Sequence, residues 1–286
     1  MNLSLITGRI IAIIVWIAID LSIILPVYSL ENDQLKVATS ISPISSLISE
    51  LGGSSVQIET IITKVNDPHT YDLKPEKARI LNAADIVVTV GRGFENWMAG
   101  VEPQKVISIE SIIPADYELI QNNNHFWLDP FLVKLLIKKI SIRLLELNPK
   151  LSSEYAARLD QLNNSIALLD HELTSEISDW RYKSYFCLHP AWSYFARHYG
   201  LKELGCLQYG HMQELGSKSM LALIKLANQQ PSKIFFREIH EPLEMIEAFI
   251  NDTDCKLVTL DALGSGNESY QNLIRQNVGL MADAMK

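Results

Sequence analysis

A long stretch without glycine or internal proline runs through the middle of the chain, from Pro149 to Trp180. Its apolar residues recur every three or four positions, which places them on one face of a helix: Leu159, Leu162, Ile166, Leu169, Leu173 and Ile177. A helix of this length would reach roughly 48 Å, farther than a connection between neighbouring strands requires. A coiled-coil dimer would also use such a stripe, but flanking α/β units favour packing inside the same chain. We therefore predict one helix that crosses two structural units.

On both sides of this stretch, short runs rich in β-branched residues alternate with longer amphipathic segments. This alternation is typical of an α/β fold with mostly parallel sheet. The predicted strands are Lys36–Ser40, Val56–Ile62, Ile86–Val90 and Lys105–Ile109, then Ser184–Leu188, Lys202–Cys206, Lys233–Phe236 and Lys256–Leu260. The predicted helices of the first half are Ile44–Leu51, Pro75–Ala84 and Pro130–Leu147. The sequence thus predicts two α/β lobes, residues 30–148 and 181–286, joined by a helix over 149–180.

The N-terminus carries an apolar segment from Ile10 to Leu25, preceded by Arg9 and interrupted by Asp20. A membrane-spanning helix needs roughly 20 largely apolar residues, so this segment is too short and resembles the core of a signal peptide. The small-residue pattern ending at Ser29 predicts cleavage there, with 1–29 as the signal and a periplasmic or other extracytoplasmic location. An uncleaved anchor stays open as the alternative. No cysteine lies in or just after the segment, which excludes lipid attachment there.

The composition is that of an ordinary globular protein, with 286 residues, 48% of them hydrophobic and 20% charged. The net charge is -8 and no run of lysine or arginine offers a phosphate-binding face, so nucleic acid is excluded as an expected partner. Three cysteines are present, Cys187, Cys206 and Cys255. In an exported protein, an odd count predicts one disulfide and one free thiol.

Four segments carry candidate metal ligands, and each is predicted to follow the end of a strand, where open α/β sheets place ligands. The candidates are His69 in Asp67–Asp72, His125 in Asn124–Pro130, His189 in Cys187–Trp192, and Asp261 in Leu260–Gly264. A single histidine near a strand end is more often a hydrogen-bonded structural residue than a ligand. Together, however, three imidazoles and one carboxylate form a complete tetrahedral set for a borderline-soft divalent ion.

With these segments in view, the chain resembles the metal-binding substrate-binding proteins of zinc and manganese ABC transporters. The four segments match, in order, that family's motifs D-P-H-x-Y-E, P-H-x-W-L-D-P, H-x-A-F-x-Y-F-A-x-x-Y-G-L and L-D-P-L-G. The third match is the longest and runs from His189 to Leu201. The chain departs from the motifs at Asn124, Pro190 and Ala262, none of which is a ligand. The resemblance extends from about Leu35 to the C-terminus.

The resemblance implies a monomeric receptor that holds one divalent metal ion in the cleft between its lobes, with two ligands from each lobe. It also implies an ABC permease in the membrane as the partner that receives the ion. Zinc is favoured over manganese, because the third ligand is His189, where manganese-binding members often carry Glu. One feature counts against zinc: the segment Ala115–Asn124 lacks the long histidine-rich loop of many zinc-binding members.

The alternatives to a transport receptor are a zinc hydrolase and a surface adhesin or metal buffer. A zinc hydrolase would need an open coordination position and a general base, whereas four protein ligands close the shell. The chain also contains no H-E-x-x-H or G-x-S-x-G motif, so no enzymatic activity is expected. The sequence does not distinguish a surface adhesin or a metal buffer from a transport receptor.

The resemblance also suggests a disulfide in the second lobe, and we expect it between Cys206 and Cys255, which lie at or near predicted strand ends. Cys187 would then be reduced beside His189 and would be a rival metal ligand. Three aromatic residues, Tyr71, Trp127 and Trp192, are expected to wall the cleft and hold the imidazoles in place. Glu238, which follows a predicted strand, is a candidate for contact with a ligand.

Overall fold

A computed structural model describes residues 34–63, 68, 71–98, 100–208, 216–264 and 266–286. The predicted signal peptide, residues 1–29, lies outside the described residues, and so does His69. Within the described ranges, no helix is both long enough and apolar enough to cross a membrane.

Two four-stranded sheets, each parallel throughout, form the frame of the molecule. The first has the order β2-β1-β3-β4, with β1 Leu35–Thr39, β2 Val56–Thr60, β3 Ile86–Thr89 and β4 Val106–Ser108. The second has the order β6-β5-β7-β8, with β5 Ser184–Cys187, β6 Lys202–Cys206, β7 Ile234–Glu238 and β8 Lys256–Leu260. A central parallel strand is covered on both faces, which explains the unbroken apolar run of β3. The predicted α/β fold with two parallel sheets is confirmed.

Eight α-helices flank these sheets within the described ranges. They are α1 Ser42–Gly52, α2 Pro75–Ala83, α3 Pro130–Leu147, α4 Ser152–Ser178, α5 Ser193–Tyr199, α6 Ser217–Asn228, α7 Glu247–Thr253 and α8 Tyr270–Met285. Helices α1, α2 and α3 have a proline at their first turn, where its missing N–H is harmless. The last helix, α8, is capped by the preceding residue Ser269, whose side chain accepts a hydrogen bond from Asn272 N.

The long central helix is α4, which is continuous for 27 residues, while Pro149–Leu151 form a 3₁₀ turn before it. Five of its six predicted apolar positions are fully buried and Leu159 is partly buried. The stripe is covered by α1, α3 and α8 of the same chain, so it is not available for a coiled-coil partner. The prediction of one helix packed inside its own chain is confirmed.

One apolar core extends through both sheets. Its buried side chains run from Val37 in β1 to Met285 at the end of α8, and a smaller cluster around Phe186 and Phe249 belongs to the second sheet alone. The C-terminal helix adds polar contacts between the halves, because Tyr270 N donates to Ser46 Oγ of α1 at 2.7 Å. The sheets therefore share packing through α4 and α8, while the division into lobes at residues 148 and 181 stays a prediction.

The disulfide joins Cys187 to Cys206, so the predicted Cys206–Cys255 pair is wrong. Cys187 and Cys206 end the adjacent strands β5 and β6 and face each other in register, with Cα atoms 4.6 Å apart. Cys255 is free and buried just before β8, which lies at the far side of the sheet from β6. It also lies at the opposite end of the strands, because parallel strands all start at one edge. Strand order, which the sequence does not specify, decides the pairing.

Replacing both bridged cysteines, by Cys187→Ser with Cys206→Ser, should lower the free energy of unfolding. The bridge closes a sequence separation of 19 residues, for which chain entropy gives about 3 kcal/mol. Urea denaturation of the metal-free protein measures this loss, with Cys255→Ser as the control that leaves the bridge intact. A control variant that lost as much stability as the double variant, or a peptide map with Cys255 in the bond, would contradict the pairing.

Candidate metal centre

His125 lies in a tight turn that leads into α3. The turn is a 3₁₀ helix over Phe126–Leu128, and Asp129 then caps α3 by accepting a hydrogen bond from Phe131 N at 2.8 Å. Tyr117 OH donates to the other oxygen of Asp129 and fixes that carboxylate. Residues 109–124 separate β4 from His125, so the expectation that His125 directly follows a strand is wrong. The buried cap, rather than a strand end, sets the position of this imidazole.

Asn123 determines which nitrogen of His125 carries the proton. Its Oδ1 accepts from His125 N at 2.9 Å and lies 3.0 Å from His125 Nδ1. Its Nδ2 donates to Pro190 O, which confirms that the oxygen faces His125. Because an amide oxygen only accepts, Nδ1 bears the proton and Nε2 keeps its lone pair. The same amide ties the turn of His125 to the residue that follows His189.

His189 lies two residues beyond the end of β5, as predicted for a ligand at a strand end. Its Nδ1 contacts Oε1 of Glu241, and the side chains of the two residues are 14% and 9% exposed. The carboxylate of Glu241 accepts a hydrogen bond from Nδ1 of His189, so Nδ1 bears the proton in this imidazole as well. In both imidazoles Nδ1 is thus held by an acceptor, and Nε2 is the nitrogen that faces the other ring.

The two Nε2 atoms lie 3.3 Å apart, and the ring centroids of His125 and His189 are 5.1 Å apart. Two lone pairs that face each other at this distance repel unless a proton or a cation lies between them. Nitrogens bound about 2.0–2.1 Å from one tetrahedral ion are themselves separated by about 3.3–3.4 Å. The spacing of the two imidazoles therefore suits two ligands of a single tetrahedral ion.

Asp261 directly follows β8 and forms a closed turn. Its Oδ1 accepts from Leu263 N at 3.0 Å and from Gly264 N at 2.7 Å. Gly264 has a φ of 70°, in the left-handed region that favours glycine, so a side chain at this position would strain the turn. The backbone N of Asp261 donates to Asn277 Oδ1 of α8 at 2.7 Å. Asp261 is therefore positioned by main-chain geometry that the L-D-x-L-G pattern encodes.

Trp127 connects the turn of Asp261 to His125. Its indole Nε1 donates to Ala262 O at 2.8 Å, and its ring centroid lies 5.0 Å from that of His125. Among the described residues, the structure thus brings His125 and His189 into direct contact. Within this same part of the chain, the turn of Asp261 is linked to His125 only through Trp127, and the Asp261 carboxylate contacts neither imidazole. His69, the remaining predicted ligand, lies outside the described residues.

Glu238 links the segments of the third and fourth predicted ligands. Its Oε1 accepts from Trp192 Nε1 at 2.7 Å, and its Oε2 accepts from Ala262 N at 2.8 Å. The side chain is buried at the end of β7, and this burial raises the pKa of Glu238 to about 7. The nearby His189 acts in the opposite direction, and Glu241 adds to the rise. Glu238 was expected to contact a ligand. Its hydrogen bonds are instead with Trp192 and Ala262, which lie in the turns of His189 and Asp261.

Asn123 and Glu241 were missed by sequence reasoning, because neither belongs to a ligand motif. Asn123 lies two residues before His125, and Glu241 lies in a turn 52 residues after His189. The only sequence signal is that Glu241 follows a strand end on the side of the sheet where ligands gather.

A separate group of donor atoms includes Cys187, two residues before His189. Within the described ranges, Cys187, Glu203 and Cys206 bring potential ligand atoms within 4.8 Å of one another. The two sulfurs are bonded to each other, so neither offers a thiolate. Glu203 accepts from Ser193 Oγ at 2.7 Å and from Tyr185 OH at 3.3 Å. The expectation that Cys187 is reduced and rivals His189 as a ligand is therefore wrong for the oxidised protein.

Two parallel sheets, a long helix between them in sequence and a pair of facing imidazoles are the features that the sequence analysis expects of a metal-binding receptor with two α/β units. Residues 37–284 match the family model of the zinc-uptake complex component A, periplasmic, or ZnuA. The chain belongs to this family, whose members are metal-binding transport receptors rather than enzymes.

Individual relatives agree with the family match. The chain is 24% identical to the high-affinity zinc uptake system protein ZnuA of Yersinia pestis, over 84% of this chain and 88% of that protein. It is 22% identical to the manganese-binding lipoprotein MntA of Bacillus subtilis, over 89% of this chain and 91% of the relative. The periplasmic zinc binding protein TroA from Treponema pallidum has the same fold, with a TM-score of 0.80 and 20% identity over 88% of this chain and 99% of that one.

Replacing Glu238 by Gln should change how stability depends on pH in the metal-free protein. Because the folded-state pKa of Glu238 is raised, its contribution to stability is full below the unfolded pKa and is lost as pH rises through about 7. Urea titrations from pH 4.5 to 8 should therefore show the parent losing up to roughly 3 kcal/mol more than Glu238→Gln. The exposed residue Glu244 provides the control, Glu244→Gln, which should follow the parent. Parallel curves for all three proteins would show that Glu238 has no raised pKa.

Proposed function

We propose that this protein captures one zinc ion outside the cytoplasm and delivers it to an ABC-type importer. The proposed ligands are His69, His125, His189 and Asp261. The observation that carries the proposal is the 3.3 Å distance between the Nε2 atoms of His125 and His189, whose Nδ1 atoms face two separate acceptors. One tetrahedral cation can bind two nitrogens at this distance.

The geometry of Asp261 supports zinc over manganese. One carboxylate oxygen, Oδ1, already accepts two main-chain hydrogen bonds, which favours binding of the ion through Oδ2 alone. Three imidazoles and one carboxylate oxygen complete a tetrahedral shell, whereas manganese prefers a larger shell with more oxygen ligands. A manganese receptor of the same family is the alternative, and the similarity to MntA keeps it in view.

Transport, rather than chemistry at the metal, follows from the closed shell. Four protein ligands leave no position for a reacting water, and the buried turns of His125 and Asp261 are fixed by hydrogen bonds. Export by the N-terminal segment, residues 1–29, would place the receptor in the periplasm or an equivalent compartment. Its partners are then the divalent ion and a membrane permease, and a monomer is sufficient for both contacts.

Replacing either described imidazole, by His125→Ala or His189→Ala, should weaken zinc binding by more than about 100-fold. Each variant removes a ligand from a shared shell, and this exceeds the 10–100-fold loss typical of changes beyond the ligands. Isothermal titration calorimetry with zinc measures the effect. The matched control is His171→Ala, because His171 is an exposed imidazole on α4. Variants that bind zinc as tightly as the parent would refute the assignment of these ligands.

A competition titration separates the two candidate ions. We expect zinc to displace manganese at equal free concentration, because the donor set is nitrogen-rich and Asp261 offers a single oxygen. Elemental analysis after dialysis against both ions, each buffered to the same free concentration, gives the occupancy directly. Predominant manganese occupancy would replace zinc by manganese in this proposal and leave the ligand residues as a manganese site.

A further inference from the structure

Glu241 forms four hydrogen bonds with other described residues, one of which is with the imidazole of His189. Its Oε1 accepts the Nδ1 proton of His189, and its Oε2 accepts from Glu238 N at 2.6 Å. Its main-chain oxygen accepts from Arg237 Nη1 at 2.6 Å, and its own N donates to Glu238 O at 3.0 Å. The carboxylate is therefore held at both oxygens within a closed turn at the end of β7. Such a fixed acceptor restricts the rotation of the imidazole that it contacts.

The two imidazoles differ in the charge of the group behind them. His125 is backed by the neutral amide of Asn123, whereas His189 is backed by the carboxylate of Glu241. A carboxylate that accepts the Nδ1 proton stabilises positive charge on the ring and makes Nε2 a stronger donor to a cation. It also fixes the tautomer, since Nδ1 cannot lose its proton without placing two acceptors in contact. His189 should therefore bind the ion more strongly than an unassisted imidazole.

We infer that Glu241 is a positioning residue for the metal centre, which acts through His189 and does not itself bind the ion. Both of its oxygens are engaged, Oε1 by the imidazole and Oε2 by the main chain, so the carboxylate orients the ligand instead of serving as one. This inference rests on the proposed function, because it requires His189 to be a ligand. It adds to the ligand set a residue that lies outside all four ligand motifs.

The test compares zinc affinities of Glu241→Leu, Glu241→Gln and the parent, measured by competition with a chromogenic chelator. Loss of both charge and acceptor in Glu241→Leu should weaken binding about 10–100-fold, the range for groups that orient metal-bound histidines. Glu241→Gln retains an acceptor without the charge and should lie between Glu241→Leu and the parent. The control is Glu244→Leu, which removes an exposed charge three residues away and should bind as the parent does.

A second measurement reports the imidazole itself. In the metal-free parent, ¹⁵N chemical shifts of His189 should identify the Nδ1–H tautomer, and Glu241→Leu should give a mixture of tautomers. A merely structural role of Glu241 would leave this signature unchanged. Should Glu241→Leu fail to fold, Glu241→Gln alone decides, by showing a weakened affinity with the parent's thermal stability or no change in affinity.

The outcomes separate the inference from the proposed function. If the parent binds zinc, His189→Ala abolishes that binding and both Glu241 variants bind within twofold of the parent, the ligand assignment stands and the positioning role is wrong. If the parent does not bind zinc, or His189→Ala binds it as tightly, the proposed site itself fails. An affinity loss in Glu241→Leu with partial retention in Glu241→Gln supports both.

Discussion

The candidate site depends on one constraint, the close approach of two imidazole nitrogens, Nε2 of His125 and Nε2 of His189. His125 and His189 come from separate parts of the chain, yet each is fixed by an acceptor that directs its Nε2 toward the other. Without a cation or proton this arrangement is repulsive, so the surrounding structure must hold it in place. The hydrogen bonds of Asn123 and Glu241 do so locally, and the packing of the two halves does so at longer range.

The helices α4 and α8 make that long-range support possible. His125 precedes α4 and His189 follows it, and the buried stripe of α4 lies in the apolar core that includes both sheets. Helix α8 returns from the second sheet to α1, and its Asn277 donates to Asp261 O and accepts from Asp261 N. Packing that is shared in this way lets a shift in either half change the distance between the imidazoles. Both halves therefore contribute to the placement of the two imidazoles.

Periodicity was sufficient to predict most elements of the fold from the sequence. The stripe from Leu159 to Ile177 specified α4, and the β-branched runs specified all eight strands within two residues at either end. The disulfide was beyond that reasoning, because only the order β6-β5-β7-β8 puts Cys187 next to Cys206. Glu241 was missed for the same reason, since a turn contact over 52 residues depends on which strand ends are neighbours. The local sequence pattern determines where helices and strands form. The order of the strands in the sheet determines which residues contact the predicted ligands.

X-ray absorption spectroscopy at the zinc edge of the loaded, oxidised protein tests the central claim most directly. The account predicts four nitrogen or oxygen neighbours at about 2.0–2.1 Å, with the multiple-scattering pattern of imidazole rings. It predicts no sulfur neighbour, because Cys187 and Cys206 are bonded to each other. A sulfur shell at about 2.3 Å, or a first shell without imidazole scattering, would contradict the proposal that His125 and His189 hold the ion.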